Sequence, residues 1–462
     1  MFLGLDRKDP DRIAVIDDSG EGLTYGELCQ ASAEFARHLT YRTLTFILAD
    51  NCNGALIGYL SALSNRVVPL IIGSKTPFET LYEIYQPEFL WLPEDRIGDY
   101  GLKEVVYATH GYALVRTGFG TPDMYDDLAL LLTTSGSTGS PKLVRHSYRN
   151  IEANAENVAK LFGLNPEERA MASLPMYYTM GLSVITSHLY TGATVLLSGR
   201  SLLDPVFWKR LKDGATSFTG VPYSFDMLAK LGFFRMSLPD LRIVSQGGGK
   251  LTEGMWMQLA DYAERKGIRF IATYGQSECT GRMAYLPADM AKSKICSIGI
   301  AEPGGRLSLI DEDGNESFEG EASGEMVYRG ENATLGYATC LEDLLKGDEN
   351  HGVIRTGDLA RRDADGCYYI IGRLNRFVKL YGLRISLDEV EDMIRSRFDT
   401  DCYCSGDDEY LDIKVTDARV ADRVPLHIEE KTHLFHQKVR VQVVDSILRN
   451  EVGKVIEYEE YR

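Results

Sequence analysis

Thr134-Ser-Gly-Ser-Thr-Gly-Ser-Pro-Lys142, entered from the apolar run Leu128-Ala-Leu-Leu-Leu132, is the stretch whose reading decides the fold. A short apolar run bounded by turn residues predicts a strand buried on both faces. The loop that leaves it combines glycines, which let backbone N–H groups converge, with Ser and Thr hydroxyls that add donors. Such a loop suits phosphate oxygens. It is not the common P-loop, because the lysine follows proline and Leu143, not Ser or Thr, follows the lysine. A solvated turn of the same composition is the plain alternative, so the company this loop keeps must decide.

The chain has 462 residues, more than the roughly 250–300 at which single cores stop growing, so at least two domains are expected. Its 44% hydrophobic and 25% charged residues are those of an ordinary globular protein. A net charge of −17 argues against nucleic acid or an anionic membrane as the main partner, while leaving room for local basic pockets. The first residues, MFLGLDRKDPDRIAV, carry no signal pattern, and no apolar run approaches the roughly 20 residues of a membrane span. The eight cysteines are scattered, so they read as reduced thiols of a cytoplasmic protein. Cys402-Tyr-Cys404 has no matching second pair; a solvent-side or edge-strand pair is expected there rather than zinc.

Between about 125 and 280, apolar runs alternate with helical periodicity, the signature of α/β layering. Ile151, Ala155, Val158 and Leu161 share one face of a helix after the 134–142 loop. A strand at 241–245, a glycine turn at 246–249, a helix at 252–266 and a strand at 268–273 make a βαβ unit. Asp313-Gly314 and Asp365-Gly366, each between apolar or aromatic runs, predict hairpins. The expected division is a large α/β domain with a β-rich lobe over 1–374 and a small α+β lid of roughly 85 residues over 376–462.

TSGSTGSPK resembles the phosphate loop of the adenylate-forming superfamily, which includes acyl-CoA synthetases, firefly luciferases and peptide-synthetase adenylation domains. Further segments follow in that family's order. Leu174-Pro-Met-Tyr-Tyr-Thr-Met-Gly181 resembles LPxxHxxG beside the acyl pocket, and Gln246-Gly-Gly-Gly-Lys-Leu251 resembles SGGAPL along adenine. Tyr274-Gly-Gln-Ser-Glu278 is similar to YGxTE, and Ile354-Arg-Thr-Gly-Asp358-Leu to YRTGDL. Gly372-Arg-Leu-Asn-Arg376 with the following Val378-Lys-Leu-Tyr-Gly382 resembles GRxDDxVKxxG, and Asn450-Glu-Val-Gly-Lys454 the terminal lysine motif.

The resemblance implies an ATP- and Mg²⁺-dependent enzyme that converts a carboxylic acid to an acyl-adenylate. The acyl group then passes to a thiol, either coenzyme A or a carrier-protein phosphopantetheine. Thr134, Ser135, Gly136, Ser137, Thr138, Gly139 and Lys142 are implied to grip phosphates, with Thr134 close to the chemistry. Gly248, Gly249, Tyr274, Gly275 and Ser277 line the nucleotide, Glu278 holds magnesium, Asp358 takes the ribose, and Arg373 takes ribose or α-phosphate. Lys454 stabilises the charge that develops in the first step. Tyr178, Gly181 and Gly247 bound the acid pocket. One physical point stands without the resemblance: Mg²⁺ prefers one or two carboxylates plus phosphate, and a glutamate just after a strand lies at the carboxyl edge of a sheet, where ligands of α/β proteins bind.

The chain departs from the family at three places. Tyr178 stands where many relatives have histidine, Asn375 where the hinge aspartate is usual, and Leu143 where glycine is common. No aspartate near Tyr177–Gly181 suits an α-amine, and Phe218 with Pro222-Tyr-Ser-Phe225 is expected to add aromatic walls, which favours an apolar or aryl acid. A loader of carrier proteins alone, and a degenerate nucleotide-binding module without turnover, stay open as alternatives.

Overall fold

Leu128–Thr133 forms a strand whose first five residues are buried, as a run flanked on both faces requires. In the computed structural model, which describes residues 1–133, 142–380, 383–407, 409–432, 434–449 and 455, this strand pairs in parallel with Val68–Gly73. It pairs antiparallel with a second strand, Leu143–Ser147, that opens directly after Lys142. The 134–142 loop therefore joins two strands of one sheet. The helix expected after the loop does form, as Tyr148–Phe162, but only once this unforeseen strand is complete. Ser147 caps it by accepting from Asn150 N, Asn150 Oδ1 accepts from Ser147 N in return, and Gly163 ends it in the left-handed region. Leu143 is fully buried among the apolar side chains of this sheet, which is why a large residue is accepted there.

Two compact units make up the chain: Met1–Arg306 with Tyr328–Ile354, and Leu307–Val327 with Arg355–Arg462. The first unit holds two large sheets. One has eight strands in the order 336–338, 143–147, 128–133, 68–73, 44–49, 89–93, 112–116, 104–109. The other has nine and includes the predicted βαβ unit: strand Ile243–Gln246, helix Glu253–Lys266 and strand Arg269–Tyr274, parallel in register from Ile243 opposite Arg269. One apolar cluster draws on both sheets and on the helices Tyr25–His38, Asn53–Ser64, Tyr148–Phe162 and Thr179–Thr191. A helix covered all round must be apolar on more than one face, and Asn53–Ser64 is buried at every position but its last; Tyr25–His38 buries one face, through Tyr25, Leu28, Ser32 and Phe35.

In the second unit both predicted hairpins are present. Gly305–Ile310 turns through Asp313-Gly314 into Glu316–Ser317, and Val353–Arg362 through Asp365-Gly366 into Tyr368–Arg373. A smaller core follows, formed by the helices Leu387–Phe398 and Val424–Thr432 and the three-stranded sheet of Cys402–Gly406, Leu411–Val415 and Val439–Val443. Cys402–Gly406 is an edge strand of that sheet, yet Cys402 and Cys404 are not on its solvent side. Residues two apart on a strand share a face, and here that face is the core. Burial pushes the Cys402 thiol up to about 12 and raises Cys404 as well.

Candidate active site

At the carboxyl end of the strand Arg269–Tyr274 the chain makes a tight turn that returns as the short strand Ala284–Tyr285. Met283 N donates to Tyr274 O at 2.9 Å and Gly281 N to Gln276 O at 3.1 Å, closing the turn around Ser277 and Glu278. Gly275 is required here. A Cβ on it would lie 2.0 Å from the Gly281 carbonyl oxygen and 2.7 Å from Arg282 Cα. Tyr274 Oη accepts from Gln276 Nε2 at 3.2 Å, and Ser277 Oγ lies 2.8 Å from Thr179 Oγ1 at the first residue of helix Thr179–Thr191.

The turn is held from behind by residues some fifty positions later. Thr334 N donates to Glu278 O at 3.0 Å, and Asn332 Nδ2 donates to Cys279 O at 3.0 Å and Arg282 O at 2.9 Å. The single hydroxyl proton of Tyr328 faces two acceptors, Asn332 Oδ1 at 2.7 Å and the buried Glu302 Oε1 at 2.8 Å. Burial raises the Glu302 carboxyl to about 8, opposed by hydrogen bonds from Tyr328 and Asn157 and by the Arg282 charge.

Glu278 itself faces Tyr337, whose hydroxyl donates to Oε1 at 2.6 Å. The ring of the same tyrosine carries Lys142, with Nζ 3.6 Å from its centroid. Burial, then the Glu278 carboxylate, push the phenol pKa upward, so the hydroxyl stays protonated and donates. Tyr337 lies on the strand Gly336–Ala338, opposite Val144 in the strand that follows Lys142. Arg145, fully buried, fastens that strand: Nε donates to Tyr337 O at 3.0 Å, Nη2 to Leu335 O at 3.1 Å and to Glu349 at 2.6 Å. The structure thus brings Lys142 and Glu278 to one side chain that the motifs did not point to.

The glycine turn lies at the end of the neighbouring strand. Gly247 N donates to Gly220 O, Gln246 Nε2 reaches Gly249 O at 2.6 Å, and Thr273 Oγ1 donates to Gln246 O at 2.9 Å. Gly248 has φ +74°, and Met180 covers this turn: its Sδ lies 2.8 Å from where a Gly247 Cβ would be. Tyr178 precedes the helix Thr179–Thr191 and packs on Tyr177, ring centroids 4.8 Å apart. Gly181 serves close packing, since a Cβ there would meet Pro175 O at 2.2 Å. Asn51, also unforeseen, fixes this run: its buried amide donates to Leu174 O at 2.9 Å and accepts from Met176 N at 2.9 Å. The expected aromatic walls are not all walls. Phe218 and Phe225 are buried against each other, 6.0 Å apart, and Tyr223 is exposed, because the strand Ser217–Gly220 and the helix after it turn those rings into the core.

In the second unit, Asp358 is buried opposite Arg373 in register, with Arg373 Nε 3.1 Å from Asp358 Oδ1. Gly357 at φ +69° and a register shift between Leu359 and Ala360 interrupt the ladder beside it. Thr134, Ser135, Gly136, Ser137, Thr138, Gly139, Tyr381, Gly382 and Lys454 lie outside the described residues.

The donors fit Mg²⁺ with a nucleotide: an oxygen ligand at a sheet's carboxyl edge, with a lysine and hydroxyls nearby. Among the described residues no three His, Cys, Asp or Glu side chains gather into a metal cage, and a cation shared with phosphate oxygens needs none.

The family model of AMP-binding enzymes matches residues 102–338, just over half of the chain and the whole segment from the 134–142 loop to Tyr337. The chain belongs to the AMP-binding enzyme family. Its relatives within that family include a sulfoacetate–CoA ligase of Cupriavidus necator, 31% identical over 285 residues, 59% of this chain and 53% of that one. A 2-succinylbenzoate–CoA ligase of Bacillus cereus is 26% identical over 401 residues, 84% of this chain and 80% of the relative. The AMP-binding enzyme thus spans about half the length of the first and four fifths of the second. Its fold is similar to that of O-succinylbenzoate coenzyme A synthetase from Bacillus subtilis in complex with AMP, with a TM-score of 0.81 at 21% identity over 100% of this chain and 98% of the other. Among the described residues no helix is long and apolar enough to cross a membrane.

Proposed function

We propose that this AMP-binding enzyme is an ATP-dependent acid–thiol ligase that forms acyl-adenylates. The observation that carries the reading is the meeting of Lys142 and Glu278 on Tyr337, beside the Tyr274–Glu278 turn and the Gly247–Gly249 turn. A carboxylate oxygen of the acid attacks the α-phosphorus of ATP, the bond to the β-phosphate breaks, and pyrophosphate leaves. Lys142 with the 134–139 loop restrains the phosphates, Tyr274 and the glycine turn hold adenine, and Asp358 with Arg373 takes the ribose side. Glu278 is the residue that would hold Mg²⁺, which would supply neutralisation of the negative charge that develops as pyrophosphate leaves. Lys454 offsets charge in the first step only. In the second step a thiol sulfur attacks the acyl carbon and AMP leaves.

Between the steps the segment after Asn375 rotates as a lid. Supporting a stiff body that begins there, Arg376 is tied to Asp388 at 2.6 Å and to Glu391, both on the helix Leu387–Phe398. The acid has an apolar or aryl body, a choice supported by Met180 and Val221 beside Gly247 and Gly248 and by the Tyr177–Tyr178 ring pair just before Met180. Coenzyme A is the preferred acceptor, as the names of both curated relatives suggest, with a phosphopantetheinylated carrier protein as the competing one. That none of the eight cysteines is in a disulfide supports a reducing, cytoplasmic setting.

ATP–pyrophosphate exchange with a panel of carboxylic acids tests this. Exchange stimulated by apolar or aryl acids is expected; stimulation best by α-amino acids contradicts the substrate class, and none with any acid contradicts the activity. Thioester formation with coenzyme A against a loaded carrier decides the acceptor.

A further inference from the structure

We propose that Tyr337 is a positioning residue of the ATP site, setting the Glu278 carboxylate for the divalent cation and the Lys142 ammonium for phosphate. The proposal rests on the activity inferred above and adds to it a group that none of the motifs contains. A lysine and a glutamate gathered for phosphate and Mg²⁺ attract one another, and a direct pair between them would spend both charges before a ligand arrives. Tyr337 offers each a different face. Its ring holds the ammonium 3.6 Å from the centroid without cancelling its charge. Its hydroxyl takes one carboxylate oxygen at 2.6 Å, in the short range of charge-assisted bonds, and so fixes the rotamer that aims the other oxygen.

The tyrosine is itself held firmly enough for the task. Buried Arg145 binds the carbonyls of Leu335 and Tyr337, and the strand Gly336–Ala338 is paired residue by residue with the strand Leu143–Ser147, Ala338 opposite Leu143. Glu278 is tied to the same peptide through Thr334 N at 3.0 Å, so backbone and side chain reach it from one segment. Lys142 directly precedes the paired strand. All three groups are therefore referred to one short stretch, 332–337.

The test is Mn²⁺ binding to the full-length enzyme, followed by electron paramagnetic resonance with α,β-methylene-ATP, which cannot release pyrophosphate. Y337F removes one oxygen and keeps the ring. Its Mn²⁺ dissociation constant is expected to rise about tenfold, with nucleotide affinity at saturating Mn²⁺ within about twofold of wild type. Y337L removes the ring as well and is expected to weaken nucleotide binding too, by about fivefold. A Y337F protein that melts as wild type and binds Mn²⁺ as wild type overturns the proposal, as does an equal loss of Mn²⁺ and nucleotide affinity in Y337F. E278Q separates the two levels. If it loses Mn²⁺ while Y337F does not, only the role of Tyr337 falls; if E278Q binds Mn²⁺ unchanged, Glu278 is not the metal carboxylate and the parent reading of this site falls with it.

Discussion

Gly275→Ala is the sharpest probe of the turn that carries Glu278. The new Cβ would lie 2.0 Å from Gly281 O, against 3.4 Å where ordinary contact begins, so backbone must move by about 1.4 Å. Nothing nearby is a flexible side-chain end: the next atoms met are Gly281 C at 2.5 Å and Arg282 Cα at 2.7 Å. Thr334 and Asn332 grip the turn at Glu278 O, Cys279 O and Arg282 O, so a displacement between Gly275 and Gly281 strains the very bonds that place Glu278. A shift of about 1 Å at a reacting constellation costs about 100-fold in rate, while overpacking of this kind costs about 1–3 kcal/mol of stability. The expected result is a protein that folds, melts a few degrees lower and shows ATP–pyrophosphate exchange reduced about 100-fold. Gly254→Ala is the control. Its Cβ would meet nothing within 4 Å on the exposed face of the helix Glu253–Lys266, and exchange should be unchanged. Exchange by G275A within about threefold of wild type would refute the reasoning, because it would mean the turn's geometry does not set the rate.

Glu302 makes stability depend on pH. Its folded pKa of about 8 lies above the ordinary 4.5, so the native state keeps a proton that the unfolded chain releases. Stability therefore falls as pH rises from about 4.5 to about 8, by up to about 1.4 kcal/mol per pH unit, and levels off above that. Melting temperatures of E302Q and wild type should diverge across this window in favour of E302Q; parallel curves count against the assignment. Asp358→Asn should raise the KM for ATP by about 10- to 100-fold, the value of hydrogen bonds to a charged group. It should also abolish discrimination between ATP and 2′,3′-dideoxy-ATP, and a variant that still discriminates would take the ribose away from Asp358. Lys454→Ala should abolish adenylation yet leave thioester formation from supplied acyl-adenylate largely intact, measured as separate half-reactions; equal loss of both removes the alternating lid.

What could be read in the sequence was whatever local chemistry determines. The strand Leu128–Thr133, the βαβ unit ending at Tyr274 and the two Asp-Gly hairpins are written in runs, caps and turn residues a few positions long. The strand Leu143–Ser147 escaped notice because it is buried throughout and runs straight into a capped helix, leaving no alternation to mark it. Phe218 and Phe225 were misplaced because an aromatic beside a glycine turn suits a core as well as a pocket; which way it points depends on neighbouring strands. Tyr337 was out of reach for a different reason. It acts 59 residues away from Glu278, and the Asn332-Ala-Thr-Leu-Gly336 run before it has no period. Only a sheet order that puts 336–338 beside 143–147 brings it to the lysine.

That sheet order also sets a timetable for synthesis. The strand Leu143–Ser147 leaves the ribosome long before the segment that covers its outer edge, since Arg145 and Tyr337 are 192 residues apart. At about 5–20 residues per second the edge waits roughly 10–40 s for its partner. Throughout that interval a row of backbone donors and acceptors stands open along residues 143–147, a template for pairing with a neighbouring chain. The strand of this sheet made last is thus the one that covers that edge, and the edge stays exposed until residue 338 has emerged.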